Sequence, residues 1–146
     1  MGHLRRNRHR AFTLLELTLA MTIVALCLGL VAPRFAALRD GASVRAAANE
    51  IGAAFSNARE MAIARAAPVS VVLDTANAAV ELRASGERLT RRSLGAMYGV
   101  RVSANRDSAV YDARGLGYGV SNLSVTVRRG VMVDTLTMSR LGRVRW

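Results

Sequence analysis

The first third of the chain is dominated by one long apolar segment. No charged residue occurs from Leu17 to Pro33, which as a helix is roughly 25 Å long and close to the shortest span of a bilayer core. Counting from Phe12 lengthens the segment to roughly 33 Å, but that stretch then includes one carboxylate, Glu16. Four basic residues precede it, namely Arg5, Arg6, Arg8 and Arg10. The positive-inside rule therefore predicts a cytoplasmic N-terminus and export of the rest of the chain.

Beyond Pro33 the apolar positions recur at helical spacing, in steps of three and four residues. The residues of this stripe are Val44, Ala48, Ile51, Phe55, Ala58 and Ala62. The spacing predicts that the helix continues past the membrane and packs this stripe against a sheet. We expect Pro68 to end the helix, because the residue before a proline is biased away from the α region.

Downstream of Pro68 the pattern changes to that of β-strands, with short β-branched runs separated by glycines and Asn77. The runs are Pro68–Asp74, Ala78–Arg83, Arg88–Leu94, Val100–Ser103, Ala109–Tyr111, Leu123–Arg128, Val131–Met138 and Arg143–Trp146. Arg129 and Gly130 predict a tight hairpin turn, and Gly115–Gly119 a flexible, exposed loop. The predicted fold is α+β: a long N-terminal helix, membrane-spanning in its first half, packs by its second half on an antiparallel sheet domain.

Composition argues against catalysis. The chain has 21 basic residues, all arginine, against ten acids, and a net charge of +11. Both histidines, His3 and His9, lie in the first ten residues, and Cys27 is the single cysteine. These counts exclude an internal disulfide and a cysteine-rich metal site, and they leave no nucleophile and base pair after residue 11. The sequence predicts a protein that is not an enzyme and has no cofactor and no metal.

Three interpretations of the N-terminus compete: a cleavable secretory peptide, a signal anchor, and a leader cut on the cytoplasmic side of the apolar segment. Leu28–Ala32 matches a secretory cleavage site poorly. Glu16 is the informative residue, because a carboxylate within the bilayer costs about 2.5–3.5 kcal/mol on insertion scales and calls for a partner. A newly formed α-amino group would be a suitable one.

The segment Ala11-Phe12-Thr13-Leu14-Leu15-Glu16-Leu17 resembles the processing site of type IV prepilins and type II secretion pseudopilins. The resemblance implies that a prepilin peptidase cuts between Ala11 and Phe12 and methylates Phe12. It also implies that Glu16 pairs with the N-terminus of a neighbouring subunit during assembly, and that Pro33 is the family's helix-bending proline. Ala11 stands where the family usually has glycine.

The exported part resembles the GspH/FimT branch of pseudopilins. The matching segments are residues 44–50, residues 58–62, the turn at 111–115 and the ending at 138–145. The resemblance implies a leader at 1–11, a transmembrane segment at 12–33, a periplasmic helix at 34–67 and a β-rich domain at 68–146. It implies a minor pseudopilin of the type II secretion system, located in the inner membrane and assembled in the pseudopilus, with other pseudopilins, the peptidase and membrane lipid as partners. The alternative is a FimT-like minor type IV pilin in pilus assembly or DNA uptake.

Arginines also cluster in the last 20 residues: Arg128, Arg129, Arg140, Arg143 and Arg145. Arg143 and Arg145 alternate along a predicted strand and would share one face. Some FimT-like pilins are thought to bind DNA through a similar ending, so Arg140, Arg143 and Arg145 are candidate contacts to DNA or another anion. The competing interpretation is a solvated face of an arginine-rich protein. We favour that one and expect little DNA binding.

Overall fold

The N-terminal helix α1 runs from Leu14 to Arg65 in the computed structural model, which describes residues 13–118, 123–139 and 144–145. Contacts between residues divide the chain after Ala36, and the two parts are described separately below as the N-terminal part and the globular part.

The second half of α1 carries the predicted apolar stripe, and every member of that stripe is at most 2% exposed. The helix ends in a Schellman motif, with Ala66 in the left-handed region at φ 48°. The Ala67 N–H donates to the Ala62 carbonyl and the Ala66 N–H to the Ile63 carbonyl, both at 3.2 Å. Pro68 follows directly, so the predicted end of the helix is confirmed.

The chain then forms two antiparallel sheets. The strands are β1 (Val69–Asp74), β2 (Ala79–Ala84), β3 (Glu87–Ser93), β4 (Arg101–Ala104), β5 (Ser108–Tyr111), β6 (Gly117–Tyr118), β7 (Leu123–Arg129), β8 (Met132–Met138) and β9 (Val144–Arg145). The first sheet has the order β3-β2-β1-β5-β6 and the second the order β4-β7-β8-β9. A long helix packed on antiparallel sheets is the predicted α+β fold, which is confirmed.

The core of the globular part is built from the helix stripe and the inward positions of both sheets. Strand β7 shows the alternation clearly, with Leu123, Val125 and Val127 at most 1% exposed while the residues between them are more open. Tyr111 and Phe55 are the largest fully buried side chains. Burial raises the pKa of Tyr111 to about 12, an effect that the charge of Arg59 partly opposes.

Two features differ from the sequence prediction. Leu94, expected at the end of a strand, begins a short helix α2 (Leu94–Tyr98). The loop expected at Gly115–Gly119 contains a strand in its described part: Gly117–Tyr118 pairs with β5 and Gly115 is buried, whereas Leu116 is exposed as expected. A Cβ at Gly115 would lie 2.7 Å from Ile63 Cδ1, so this turn fits closely against α1.

The turn before β6 is held by Asp112. Its carboxylate accepts hydrogen bonds from the backbone N–H groups of Arg114 and Leu116, each at 2.9 Å. These bonds, with Leu116 first, lower the pKa of Asp112. Asp112 therefore stabilises the local turn.

Candidate functional site

The start of α1 is organised by Thr13. The Leu17 N–H donates to the Thr13 carbonyl at 3.1 Å, and the Glu16 N–H donates to the Thr13 hydroxyl oxygen at 3.2 Å. Thr13 is therefore the N-cap, and Glu16 occupies the third helical position, where a capping box places an acid. A carboxylate here also lies favourably at the positive end of the helix dipole.

The side chains that follow in the N-terminal part are apolar and exposed. From Leu14 to Leu30 the large hydrophobic residues are 53–81% exposed. By length and composition this helix is a candidate membrane span. An exposed apolar surface of this size requires lipid or other protein surfaces around it.

Glu16 is the acidic side chain of this segment, and it is exposed. The two nearby threonines bond within the helix, since the Thr18 hydroxyl donates to the Leu15 carbonyl at 2.9 Å and the Thr22 hydroxyl to the Leu19 carbonyl at 2.7 Å. Within the described part of the chain, no basic group lies within ion-pair distance of the exposed Glu16 carboxylate. This carboxylate is thus open to a partner from another molecule.

The other predicted residues of this region are only partly described. Ala11 and Phe12, the predicted cleavage site, lie outside the described residues. Pro33 lies within the bounds of α1.

The predicted C-terminal arginines are brought together only in part. Arg145 is exposed on β9, opposite Thr137 of β8, whereas Arg140 and Arg143 lie outside the described residues. Strand register places two further exposed arginines on the outer face of the same sheet, with Arg101 of β4 directly opposite Arg128 of β7. The sequence did not group Arg101 with the C-terminal arginines, because it lies 27 positions before Arg128 and comes next to it only through the pairing of β4 with β7.

Arg129, one of the arginines clustered in the last 20 residues, has a structural role. Its Nε lies 2.8 Å from Asp40 Oδ1, and one Nη donates to the Ser43 hydroxyl at 3.0 Å and to the Tyr98 carbonyl. The next residue, Gly130, has φ 55°, and a Cβ there would lie 2.6 Å from Asp40 Oδ2. Arg129 therefore joins α1, α2 and β7 and is not free to bind a ligand.

A second group of charges surrounds Glu81 on the first sheet. Glu81 is 3% exposed, and its carboxylate accepts hydrogen bonds from Arg83 at 2.8 Å and Arg91 at 2.9 Å, with Arg88 at 3.6 Å. The hydrogen bond from Arg83 and the charges of the three arginines lower the pKa of Glu81, although burial opposes them. Glu81 and the three arginines line an open polar cleft of about 480 Å³. Acidic and basic side chains of this cleft form ion pairs with each other.

Metal binding finds no support in the described residues. No group of three histidine, cysteine, aspartate or glutamate side chains in residues 13–118, 123–139 and 144–145 could hold a metal ion.

Comparison with known proteins agrees with the geometry of both parts. Residues 6–32 match the family model described as the prokaryotic N-terminal methylation motif. No curated protein matches the chain. Two crystal structures of the type IV minor pilin FimU of Pseudomonas aeruginosa are similar to it, with TM-scores of 0.60 and 0.57 and 16% sequence identity. The alignments cover 70% and 69% of this chain and 86% and 90% of FimU.

The similarity to FimU establishes the fold, and the methylation motif supplies the N-terminal signature of prepilins. The chain accordingly has a type IV pilin-like fold, with an apolar helix suited to single-pass anchoring and a globular C-terminal part.

Proposed function

We propose that this chain is a minor pseudopilin of the GspH/FimT type, a structural subunit of the periplasmic pseudopilus of a type II secretion system. The N-terminal helix inserts into the inner membrane with residues 1–11 in the cytoplasm and the globular part in the periplasm. A prepilin peptidase removes the leader before Phe12 and methylates the new amine. The protein then acts by polymerising with other pseudopilins.

The environment of Glu16 carries this proposal. The carboxylate lies in the first turn of a helix whose apolar side chains are exposed, and the described residues offer it no basic partner. Removal of the leader would create an α-amino group four residues before it, at Phe12. A carboxylate and an amine from neighbouring subunits can offset each other's desolvation inside a filament.

The second candidate is a minor type IV pilin. The similarity to FimU favours it, because FimU is described as a type IV minor pilin. In that role the arginines of the second sheet, with Arg140 and Arg143, would be available to incoming DNA. Both candidates share the leader and the helix, so a phenotype is needed to separate them.

Replacement of Glu16 tests the subunit role. Glu16→Leu makes the segment more apolar, so membrane insertion should be unimpaired. Crosslinking to other pilin-like subunits should fall by about tenfold or more, because the partner amine loses its counter-charge. Thr18→Leu is the matched control: it also increases apolarity two residues away, but its hydroxyl already bonds within the helix. Undiminished crosslinking of the Glu16→Leu chain would refute the mechanism.

A deletion in the native host separates the two filaments. Loss of the secretion role should retain type II substrates in the periplasm and leave surface pili intact. Loss of surface pili with normal secretion would establish the second candidate instead.

Mass spectrometry of the membrane-extracted wild-type chain should also show loss of residues 1–11 and a methylated Phe12. Retention of Met1 in most molecules would exclude prepilin processing.

A further inference from the structure

Three outward-facing side chains form a row across the second sheet. Arg101 of β4 lies directly opposite Arg128 of β7, and Arg128 lies directly opposite Val133 of β8. Directly opposed residues of an antiparallel pair project from the same face, and all three are exposed. We call Arg101, Arg128 and Val133 the basic-apolar row.

The charge of this row is uncompensated. Like charges at directly opposed positions destabilise a strand pair, yet no carboxylate in the described residues lies within ion-pair distance of Arg101 or Arg128. The adjacent Arg129, by contrast, pairs with Asp40 at 2.8 Å. The two row arginines are therefore available to an anionic partner outside the globular part.

Apolar side chains accompany the two arginines. Val133 is 48% exposed, and Val131, at the tip of the β7–β8 hairpin, is 85% exposed. Arginines beside exposed aliphatic side chains suit a lipid headgroup layer, where phosphates meet the guanidinium groups and the apolar side chains reach the acyl boundary. Backbone contacts to DNA would use the arginines but give the valines no role.

The hairpin tip is also tethered close to the end of the apolar segment. Gly130 lies against the Asp40 carboxylate, and Asp40 follows Pro33, the end of the charge-free segment, by seven residues. Even fully extended, seven residues span at most roughly 25 Å. Only a short length of chain therefore separates the apolar segment from the residue that the hairpin contacts.

We propose that the basic-apolar row and Val131 dock on anionic phospholipid headgroups of the membrane that holds the N-terminal helix. The inference rests on membrane insertion, which is part of the proposed function. Docking holds the globular part of an unassembled subunit against the bilayer. This contact must break when the subunit is extracted into a filament.

The test uses the full chain with one fluorescent probe. Cys27→Ser removes the single native thiol, and Val131→Cys places an environment-sensitive label at the hairpin tip. The labelled chain is reconstituted into vesicles of phosphatidylcholine alone or mixed with phosphatidylglycerol. We expect a blue-shifted emission and protection from an aqueous quencher in the anionic vesicles, with both effects weakened by added salt.

Matched double variants assign the effect to the row. Arg101→Gln with Arg128→Gln should lower the ratio of docked to free hairpin by roughly fivefold per arginine. Arg65→Gln with Arg92→Gln removes the same charge from other exposed positions and should leave the ratio within about twofold. An equal loss in both double variants would reduce the effect to net charge and overturn the proposal.

Two further outcomes also count against it. Equal quenching in neutral and anionic vesicles would show that the hairpin does not dock. Protection by added duplex DNA in neutral vesicles, without protection by anionic lipid, would identify a nucleic-acid surface instead. Flotation of the vesicles after an alkaline wash reports insertion separately, so a chain that fails to float refutes the proposed function rather than the docking.

Discussion

The two halves of α1 have the same secondary structure and opposite surroundings. In the N-terminal part, large apolar residues between Leu14 and Leu30 are 53–81% exposed. In the globular part, the stripe from Val44 to Ala62 is at most 2% exposed. The helical backbone is common to both, so the difference lies in what each half packs against. The first half requires lipid or other protein surfaces, whereas the second is satisfied by its own sheets.

Side-chain size follows this division. The exposed half presents leucine, methionine and isoleucine, which maximise apolar area. The buried half is rich in alanine, and its fully buried members include Ala47, Ala48, Ala58 and Ala62. Small side chains let the sheets approach the helix closely, while Ile51 and Phe55 fill the remaining space.

The largest predicted difference between the halves is in the loss of stability when the phenylalanine of each half is replaced by alanine. Phe55 is 1% exposed and Phe35 is 66% exposed. Phe55→Ala should destabilise the globular part by about 3–5 kcal/mol, because it leaves a cavity in the core. Phe35→Ala, twenty residues earlier, should change stability by no more than about 0.5 kcal/mol. Urea unfolding of the full chain in mild detergent, followed by pulse proteolysis, measures both. Similar losses in the two variants would contradict the division of the helix.

A smaller loss of stability is expected from removing the contacts that Arg129 makes where the buried half of α1 begins. Arg129→Ala removes the bonds to Asp40, Ser43 and the Tyr98 carbonyl. We expect a loss of about 1–2 kcal/mol, because the ion pair is partly solvated. Hydrogen exchange should quicken at residues 37–47 in particular.

Arg128→Ala is the control for that variant, since its side chain is exposed and makes no ion pair with a described residue. Its effect on stability should stay within about 0.5 kcal/mol. Unchanged exchange at residues 37–47 in the Arg129→Ala chain would mean that the sheets alone hold the helix there.

The elements of this fold with a regular period were predictable from the sequence. The helix stripe predicted the buried face, and the alternating runs predicted eight of the nine described strands, because both patterns follow from burial on one side. Helix α2 was missed because five residues are too few for a helical period to emerge. Strand β6 was missed because its two residues, Gly117 and Tyr118, carry no alternation.

The roles of individual arginines were much less predictable. Arg128 and Arg129 are adjacent in sequence, yet one is exposed and the other bonds to Asp40, 89 positions earlier. Glu81 was not identified as a buried acid, because two of its three arginine partners, Arg88 and Arg91, meet it only through the pairing of β2 with β3. Such pairings depend on strand register, and composition contains no information about it.

The smallest expected effect tests how completely the buried half of α1 and the sheets exclude water. Tyr111 is fully buried, and its pKa of about 12 lies above the usual value of 10.0. Because the unfolded chain ionises first, the stability contributed by the neutral phenol is present below pH 10.0 and is lost as the pH rises towards about 12.

Tyr111→Phe should remove this component of alkaline unfolding. At neutral pH it should cost less than about 1 kcal/mol, the value of a weak hydrogen bond, because the hydroxyl donates to a sulfur, Met138 Sδ, at 3.3 Å. Difference absorbance of tyrosinate between the wild-type and Tyr111→Phe chains, recorded with unfolding at each pH, measures both effects. Ionisation of Tyr111 near its usual value in the folded protein would show that water reaches the phenol, and the buried half would then be less sealed than its exposure indicates.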